Sequence, residues 1–244
     1  MTEIYILEID MNSIVGLSEV LTKYISNESR NRILSYMIPQ KSYQTLITEI
    51  LIRYIIMKKN IQQNNEIRIC RNEYGKPYLE TEKNFHFNCS HSENWIVCAV
   101  STGAVGIDIE AIKYIDLNVG KRFFSESEYA YINNAPPNLK LNYFYDLWTL
   151  KEAYIKKIGK GLNMRLKDFS ICFDKNKIYV ESAKYPENCY FYKYDIIKNF
   201  KMSLCTSIYQ TKCPIIFIRQ EHLINDFIDL INTKEHNLSS LTEL

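Results

Sequence analysis

Trp148-Thr149-Leu150-Lys151-Glu152-Ala153-Tyr154-Ile155-Lys156-Lys157-Ile158-Gly159-Lys160-Gly161-Leu162 places one acid among lysines on a segment that stops at glycine. Helical spacing puts Trp148, Glu152, Ile155 and Lys156 on one face. Gly159 suits the left-handed position just past a helix end, and Gly161 lets the chain turn away sharply. Between Lys151 and Lys167 six basic residues (Lys151, Lys156, Lys157, Lys160, Arg165, Lys167) stand against Glu152 alone. Taken by itself this is a solvated helix face, with a Glu152–Lys156 pair worth about 0.3–0.5 kcal/mol.

An earlier stretch changes that reading. Val105-Gly106-Ile107-Asp108-Ile109-Glu110 alternates as a strand, so Val105, Ile107 and Ile109 face the core while Gly106, Asp108 and Glu110 share the other side. Asp108 and Glu110 then lie about 6.5 Å apart along the strand, within reach of one hard cation. Magnesium takes a few carboxylates together with phosphate oxygens and retained waters. Asp108, Glu110 and Glu152 beside several lysines therefore point to a divalent metal and a phosphate-rich substrate, against an ordinary acidic strand face.

Working outward, Ile4–Ile9 reads as a strand, Leu17–Tyr36 as a helical region and Lys41–Lys58 as a long helix with Leu46, Ile50, Arg53, Tyr54 and Met57 at helical spacing. Asn72-Glu73-Tyr74-Gly75-Lys76-Pro77 is a turn. Phe85–Cys89 alternates as a strand that ends at Ser90-His91-Ser92, and Trp95–Val100 follows as its hairpin partner. Beyond Ser101–Ala104 the order partly repeats: strand 105–110, helices near 117–134, a long helix over about 139–158, then strands at 169–173, 177–181, 190–196 and 202–207. The expected architecture is α+β, with two similar lobes each holding a small antiparallel sheet and a long helix. Residues 1–102 form the first lobe, 103–220 the second with the metal site, and 221–244 a tail whose polar end frays.

Composition excludes several classes. The chain has 244 residues, 46% hydrophobic and 24% charged, with a formal net charge of +2. It is globular and carries no overall basic excess for nucleic acid. Its N-terminus lacks a basic region ahead of an apolar core, and Ile50–Met57 is too short to span a bilayer. Seven scattered cysteines without a CxxC pair suggest reduced thiols and a cytoplasmic protein.

Five segments then stop being independent. In order they are Glu73-Tyr74-Gly75-Lys76-Pro77, Phe87-Asn88-Cys89-Ser90-His91-Ser92, Gly106-Ile107-Asp108-Ile109-Glu110, Phe123-Phe124-Ser125-Glu126-Ser127-Glu128, and Trp148-Thr149-Leu150-Lys151-Glu152-Ala153 with Lys156 and Gly159-Lys160-Gly161. The series resembles the 4′-phosphopantetheinyl transferases, in the larger surfactin-synthetase-activating (Sfp) class. The resemblance runs from about Ile25 to Ser207. It implies a pseudo-dimeric α+β fold that binds coenzyme A between two lobes. It implies transfer of the phosphopantetheine arm to a serine of an apo acyl or peptidyl carrier protein, releasing adenosine 3′,5′-bisphosphate.

Carried over by motif, Asp108, Glu110 and Glu152 would hold Mg²⁺, Lys156 would contact the phosphates, and Glu152 or Lys156 would help deprotonate the serine, with a metal-bound water as the alternative base. Ser90, His91 and Ser92 would contact the nucleotide phosphates. Tyr74, Gly75, Lys76 and Pro77 would line the adenine pocket, Lys76 near the 3′-phosphate, with Lys151 and Lys160 as phosphate neighbours. The resemblance implies a monomer, because two lobes in one chain already make the inter-lobe site. The segment Lys113–Phe124, which follows the metal strand, is expected to meet the carrier. One departure is Gln44, where this class usually has an arginine facing the adenosine end, with Arg53 or Lys41 the expected substitutes. A second is the altered basic residues of the preceding helix, which leave Arg30 and Arg32 as the candidates for the 3′-phosphate. A catalytically silent binding module and a magnesium-dependent nucleotide phosphohydrolase are the rivals. The intact acids argue against the first. The Ser-His-Ser and Tyr-Gly-Lys-Pro elements have no purpose in the second.

Overall fold

The computed structural model of the chain describes residues 1–175, 177–182, 184 and 189–241, without the side chains of 13–15, 162 and 234–241. Its elements are β1 (Thr2–Glu8), α1 (Ile14–Leu21), α2 (Asn27–Leu34), α3 (Pro39–Lys58), β2 (Ile69–Arg71), β3 (Pro77–Leu79), β4 (His86–Ser92), β5 (Trp95–Ser101) and β6 (Val105–Ala111). There follow α4 (Gly120–Phe123), α5 (Glu126–Asn134), α6 (Lys140–Ile158), β7 (Ser170–Asp174), β8 (Lys177–Glu181), β9 (Tyr190–Tyr194), β10 (Phe200–Thr206), β11 (Ile215–Arg219) and α7 (Gln220–Leu241).

The first lobe is a four-stranded sheet ordered β11-β1-β5-β4, and the second a three-stranded sheet ordered β6-β10-β9. Strand alternation gives the first sheet two apolar faces. Tyr5, Leu7, Ile96, Cys98 and Val100 pack under α3, whereas Ile4, Ile6, Val97 and Ala99 pack against Val105, Ile107, Ile109, Met202 and Leu204 of the second sheet. The two lobes therefore share one buried layer.

Local chemistry explains the long helices. Pro39 opens α3 at its first turn, where a missing N–H costs nothing. From Leu46 to Met57 nearly every residue of α3 is buried, since sheet, α1, α2 and α7 surround it. Gly159, at φ 80°, ends α6 in the left-handed conformation. A capping box between Ser125 and Glu128 starts α5.

Three expectations change. The helical region 17–36 is broken at Ile25–Ser26, because the Ser26 hydroxyl accepts from the Ser29 amide and starts α2 afresh. The strand expected over Phe85–Cys89 runs on through Ser90, His91 and Ser92, which are the last three residues of β4. The C-terminal segment is not a separate tail. β11 pairs in parallel with β1, and Leu223, Phe227 and Ile231 of α7 are buried in the first lobe's core. The first lobe is thus closed by both ends of the chain, and the boundary placed at residue 220 falls inside it. The apolar spacing of 215–219 and 223–231 needed a partner far away in sequence.

Candidate active site between the lobes

The site begins with a glycine. A Cβ on Gly106 would lie 2.1 Å from the Ala153 carbonyl oxygen and 2.3 Å from the Lys157 nitrogen. Only glycine lets α6 lie directly on β6, so the room at Gly106 serves the helix backbone rather than a ligand. The acidic face of β6 is consequently covered: Asp108 is 2% exposed. The same contact brings Glu152 and Lys156 from α6 over Asp108.

β6 and β4 are the facing edges of the two sheets, and side chains join them in place of a backbone ladder. Asn88 Oδ1 accepts from the Ile107 amide at 2.9 Å, and Ser92 Oγ accepts from the Ala111 amide at 3.0 Å. Ser90 Oγ donates to Asp108 Oδ1 at 2.9 Å, and Ser92 Oγ donates to Glu110 Oε2 at 3.3 Å. Alternate residues of β4 thus point at the acids, and this period-two pattern explains why Asn88, Ser90 and Ser92 recur at every second position.

Lys156 Nζ lies 2.6 Å from Asp108 Oδ1 and 2.8 Å from Ser90 Oγ. One ammonium therefore serves three crowded carboxylates. Burial and the neighbouring Asp108 charge push the Glu110 carboxyl up to about 7, against the opposing pull of Lys156, Ser92 and Trp148. Burial and Asp108 likewise raise Glu152, opposed by Lys156. Asp108 Oδ2 is buried without a hydrogen-bond partner. Among the described residues no three histidine, cysteine or acidic side chains stand at metal-ligating spacing. Nevertheless, an excess of carboxylate charge with an orphaned oxygen is the donor set a hard divalent cation satisfies, so these residues fit such an ion. His91 stands at the end of β4 in the wall of a small cavity, where desolvation of its ring and the Lys156 and Lys41 ammoniums lower its pKa, favouring the neutral ring.

A cleft of about 840 Å³ opens beside this cluster. One wall is Tyr74, Gly75, Lys76 and Pro77 from the first lobe, and the other is Glu152, Lys156, Gly159 and Gly161 from α6 and its end. Asn88, Arg122, Phe123, Ile155 and the stretch 164–168 complete it; Arg165 and Lys167 of that stretch belong to the basic cluster that begins at Lys151, whereas Met164, Leu166 and Asp168 carried no signal in the sequence. A second cavity of about 270 Å³, holding Arg32, Arg71 and His91, shares Pro77 and Asn88 with the first.

Several expected residues lie elsewhere. Lys151 is fully buried; its Nζ bonds both Glu128 oxygens at 2.6 and 2.8 Å and the Phe169 carbonyl at 2.7 Å. It turns into the core because helix geometry sets it about 100° away from Glu152, and it is not a phosphate neighbour here. Lys160 lies between the two lining glycines. Lys76 Nζ is directed at the carbonyls of Val105 and Lys157, at 3.1 and 2.9 Å. Gln44 is buried and donates to the Glu93 carbonyl. Arg53, 2% exposed, bonds Glu49 and Asn64, so it cannot replace a missing arginine at the cleft. The Arg30 guanidinium holds the Thr22 carbonyl, whereas Arg32, paired with Glu49 at 3.3 Å, still reaches the second cavity.

Comparison with known proteins gives a consistent result. The family described as "4'-phosphopantetheinyl transferase superfamily" matches residues 104–205, and "4'-phosphopantetheinyl transferase, N-terminal" matches 17–103. The 4'-phosphopantetheinyl transferase gsp of Aneurinibacillus migulanus is 36% identical over 223 residues, covering 89% of this chain and 91% of the relative. The 4'-phosphopantetheinyl transferase Sfp of Bacillus subtilis (strain 168) is 32% identical over 208 residues, covering 85% and 93%. A transferase of Bacillus pumilus, psf-1, is 34% identical over 77% of this chain and 81% of its own length.

Proposed function

We propose, for a chain that belongs to the 4′-phosphopantetheinyl transferase superfamily, that the inter-lobe cleft takes coenzyme A and that Asp108, Glu110 and Glu152 hold a magnesium ion beside it. The enzyme transfers the phosphopantetheine arm of coenzyme A to a serine of an apo carrier protein and releases adenosine 3′,5′-bisphosphate. The observation that carries the site assignment is the convergence of β4, β6 and α6 on one cluster. Asp108, Glu110, Glu152, Lys156 and Ser90 meet there at the side of a cleft large enough for a nucleotide and its arm.

The chemistry follows from these groups. The carrier serine attacks the phosphorus that bears the arm, its O–P bond forms, and the bond to the bisphosphate oxygen breaks. When bound, the ion neutralises charge on the pyrophosphate. Lys156 supplies a fixed ammonium to the phosphates, a charge placed where it develops. Glu152, with a raised pKa, accepts the serine proton more readily than an ordinary carboxylate, provided it is not ligating the ion at that moment. Neutral His91 can donate one hydrogen bond to a nucleotide phosphate. Tyr74 to Pro77 form the flat wall for the base, while Ser90 and Ser92 hold the acids in place.

The carrier approaches over Lys113–Phe124, where Tyr114 is 93% exposed beside the end of β6. The enzyme acts as a monomer in the cytoplasm, and the pathway served is peptide or other secondary-metabolite synthesis. Among the described residues no helix is long and apolar enough to cross a membrane.

The protein, coenzyme A, Mg²⁺ and several apo carriers are incubated together, and the carriers weighed. The expected result is a gain equal to one phosphopantetheine arm. That gain is lost with Asp108→Ala at unchanged folding, and is slower with Tyr114→Asp. An unchanged carrier mass across the panel refutes the activity. A full gain with folded Asp108→Ala refutes the metal assignment.

A further inference from the structure

We infer that Asn72 is a positioning residue: it clamps the turn that forms the first-lobe wall of the cleft to the C-terminal end of the helix that carries Glu152 and Lys156. Its carboxamide works in both directions. Oδ1 accepts from the Tyr74 amide at 3.0 Å and from the Lys76 amide at 2.9 Å, which fixes the turn internally. Nδ2 donates to the Gly159 carbonyl at 2.9 Å, across the lobe boundary. The Asn72 backbone closes the same loop, its N–H donating to the Lys76 carbonyl at 3.0 Å and its carbonyl accepting from Gly75 at 2.9 Å.

The far side of the joint is shaped to receive this turn. Gly159 adopts φ +80°, and a Cβ there would lie 2.8 Å from Lys76 Cδ and 3.4 Å from Asn72 Nδ2. Gly161, at φ +51°, passes the Tyr74 carbonyl with a Cβ position only 3.4 Å away. Lys76 adds the carbonyls of Lys157 and Val105, so a lysine and an amide together satisfy acceptors at the negative end of α6. Tyr74, Gly75, Lys76 and Pro77 line the cleft opposite Glu152 and Lys156. The width of the cleft is therefore set by where the turn rests on Gly159, and Asn72 holds both the turn's internal shape and that resting point. Asparagine suits the task because a short side-chain carbonyl can imitate a turn while its amide remains free to donate.

The inference rests on the transferase reading only for the ligand's identity, and the two fail differently. Asn72→Ser keeps an acceptor for the turn and lacks the arm that reaches Gly159. Asn72→Asp, the second variant should the first not fold, keeps the reach and the acceptor but has a carboxylate oxygen that cannot donate to the Gly159 carbonyl. The dissociation constant for coenzyme A is measured by calorimetry, with melting temperature and carrier-modification kinetics alongside. One net hydrogen bond at this joint predicts a coenzyme A dissociation constant and KM raised about fivefold to tenfold, with the KM for the carrier and the kcat within twofold. Dissociation constants within twofold of wild type in the folded variants overturn the clamp. So does an equal rise in both KM values, which marks general loosening. A wild-type protein that binds coenzyme A but modifies no carrier would refute the transfer activity, while the calorimetric comparison would still decide the role of Asn72.

Discussion

Two of the long helices, α3 and α6, occupy similar places in the two lobes and do different work. Each buries a charge pair. In α3, Arg53 meets Glu49 at 3.3 Å; in α6, Lys151 meets Glu128 at 2.6 Å. Beyond that they diverge. α3 presents Thr45 and Thr48 to the second cavity, and its Gln44 is tethered to the Glu93 carbonyl. α6 carries a second charged stripe, Glu152 and Lys156, over a strand that offers two further acids. The strands differ likewise: β5, Trp-Ile-Val-Cys-Ala-Val-Ser, is apolar through its centre, whereas β6 interleaves Gly106, Asp108 and Glu110 with its core residues. One lobe is built for stability and the other holds groups that repel one another. Crowded like charges destabilise a fold and persist where a ligand relieves them.

The largest test of this contrast separates the two charge sets on α6. Lys151→Met leaves Glu128 buried without its cation, and a loss of about 3–5 kcal/mol in unfolding free energy is expected from denaturant titration. The transfer rate per folded molecule should stay near wild type, because Lys151 faces the core. A rate that falls while stability is unaffected would restore it to the cleft.

A middle-sized effect concerns pH. Glu110 titrates at about 7 in the folded protein against an ordinary 4.5. Between those values the folded state binds more protons than the unfolded state, so stability is greatest below about 4.5 and declines as pH rises to about 7. Metal-free protein should show that decline in melting temperature, and Glu110→Gln should flatten it and raise the melting temperature at pH 8. Added Mg²⁺ should reduce the decline in the wild type by mass action. An identical pH slope in Glu110→Gln would show that the acids of β6 are not strained.

The smallest effect lies on α3. Gln44→Ala removes the bond to the Glu93 carbonyl and should cost about 1 kcal/mol in stability. Because Gln44 is occupied by that bond, the KM for coenzyme A should move less than twofold. A larger rise would give the first lobe's helix a part in nucleotide binding.

Much of this molecule was legible in its sequence. The strand 105–110, the long helices near 41–58 and 139–158, the hairpin of β4 and β5, and the break at Gly159 follow from local periodicity and from glycine's freedom at positive φ. The acids and Lys156 were legible as types and spacings. Their ordered motifs carry the family without the fold, because each motif is a short run whose chemistry depends on neighbours in the chain. What spacing could not provide was direction. Lys151 and Glu152 are adjacent, yet one is sealed against Glu128 and the other faces the cleft. Arg53 and Arg32 both pair with Glu49, yet Arg53 is 2% exposed while Arg32 lines the second cavity.

The tertiary structure alone decided four things: that β11 and α7 close the first lobe, that β4 and β6 meet edge to edge through Asn88, Ser90 and Ser92, that Gly106 seats α6 against the acids, and that Asn72 joins the lobes at Gly159. Each is a contact between residues at least 17 positions apart in the chain. A helix or strand records which residues share its own face, because its period is local; which foreign surface that face meets is fixed only when the hydrophobic layers pack together.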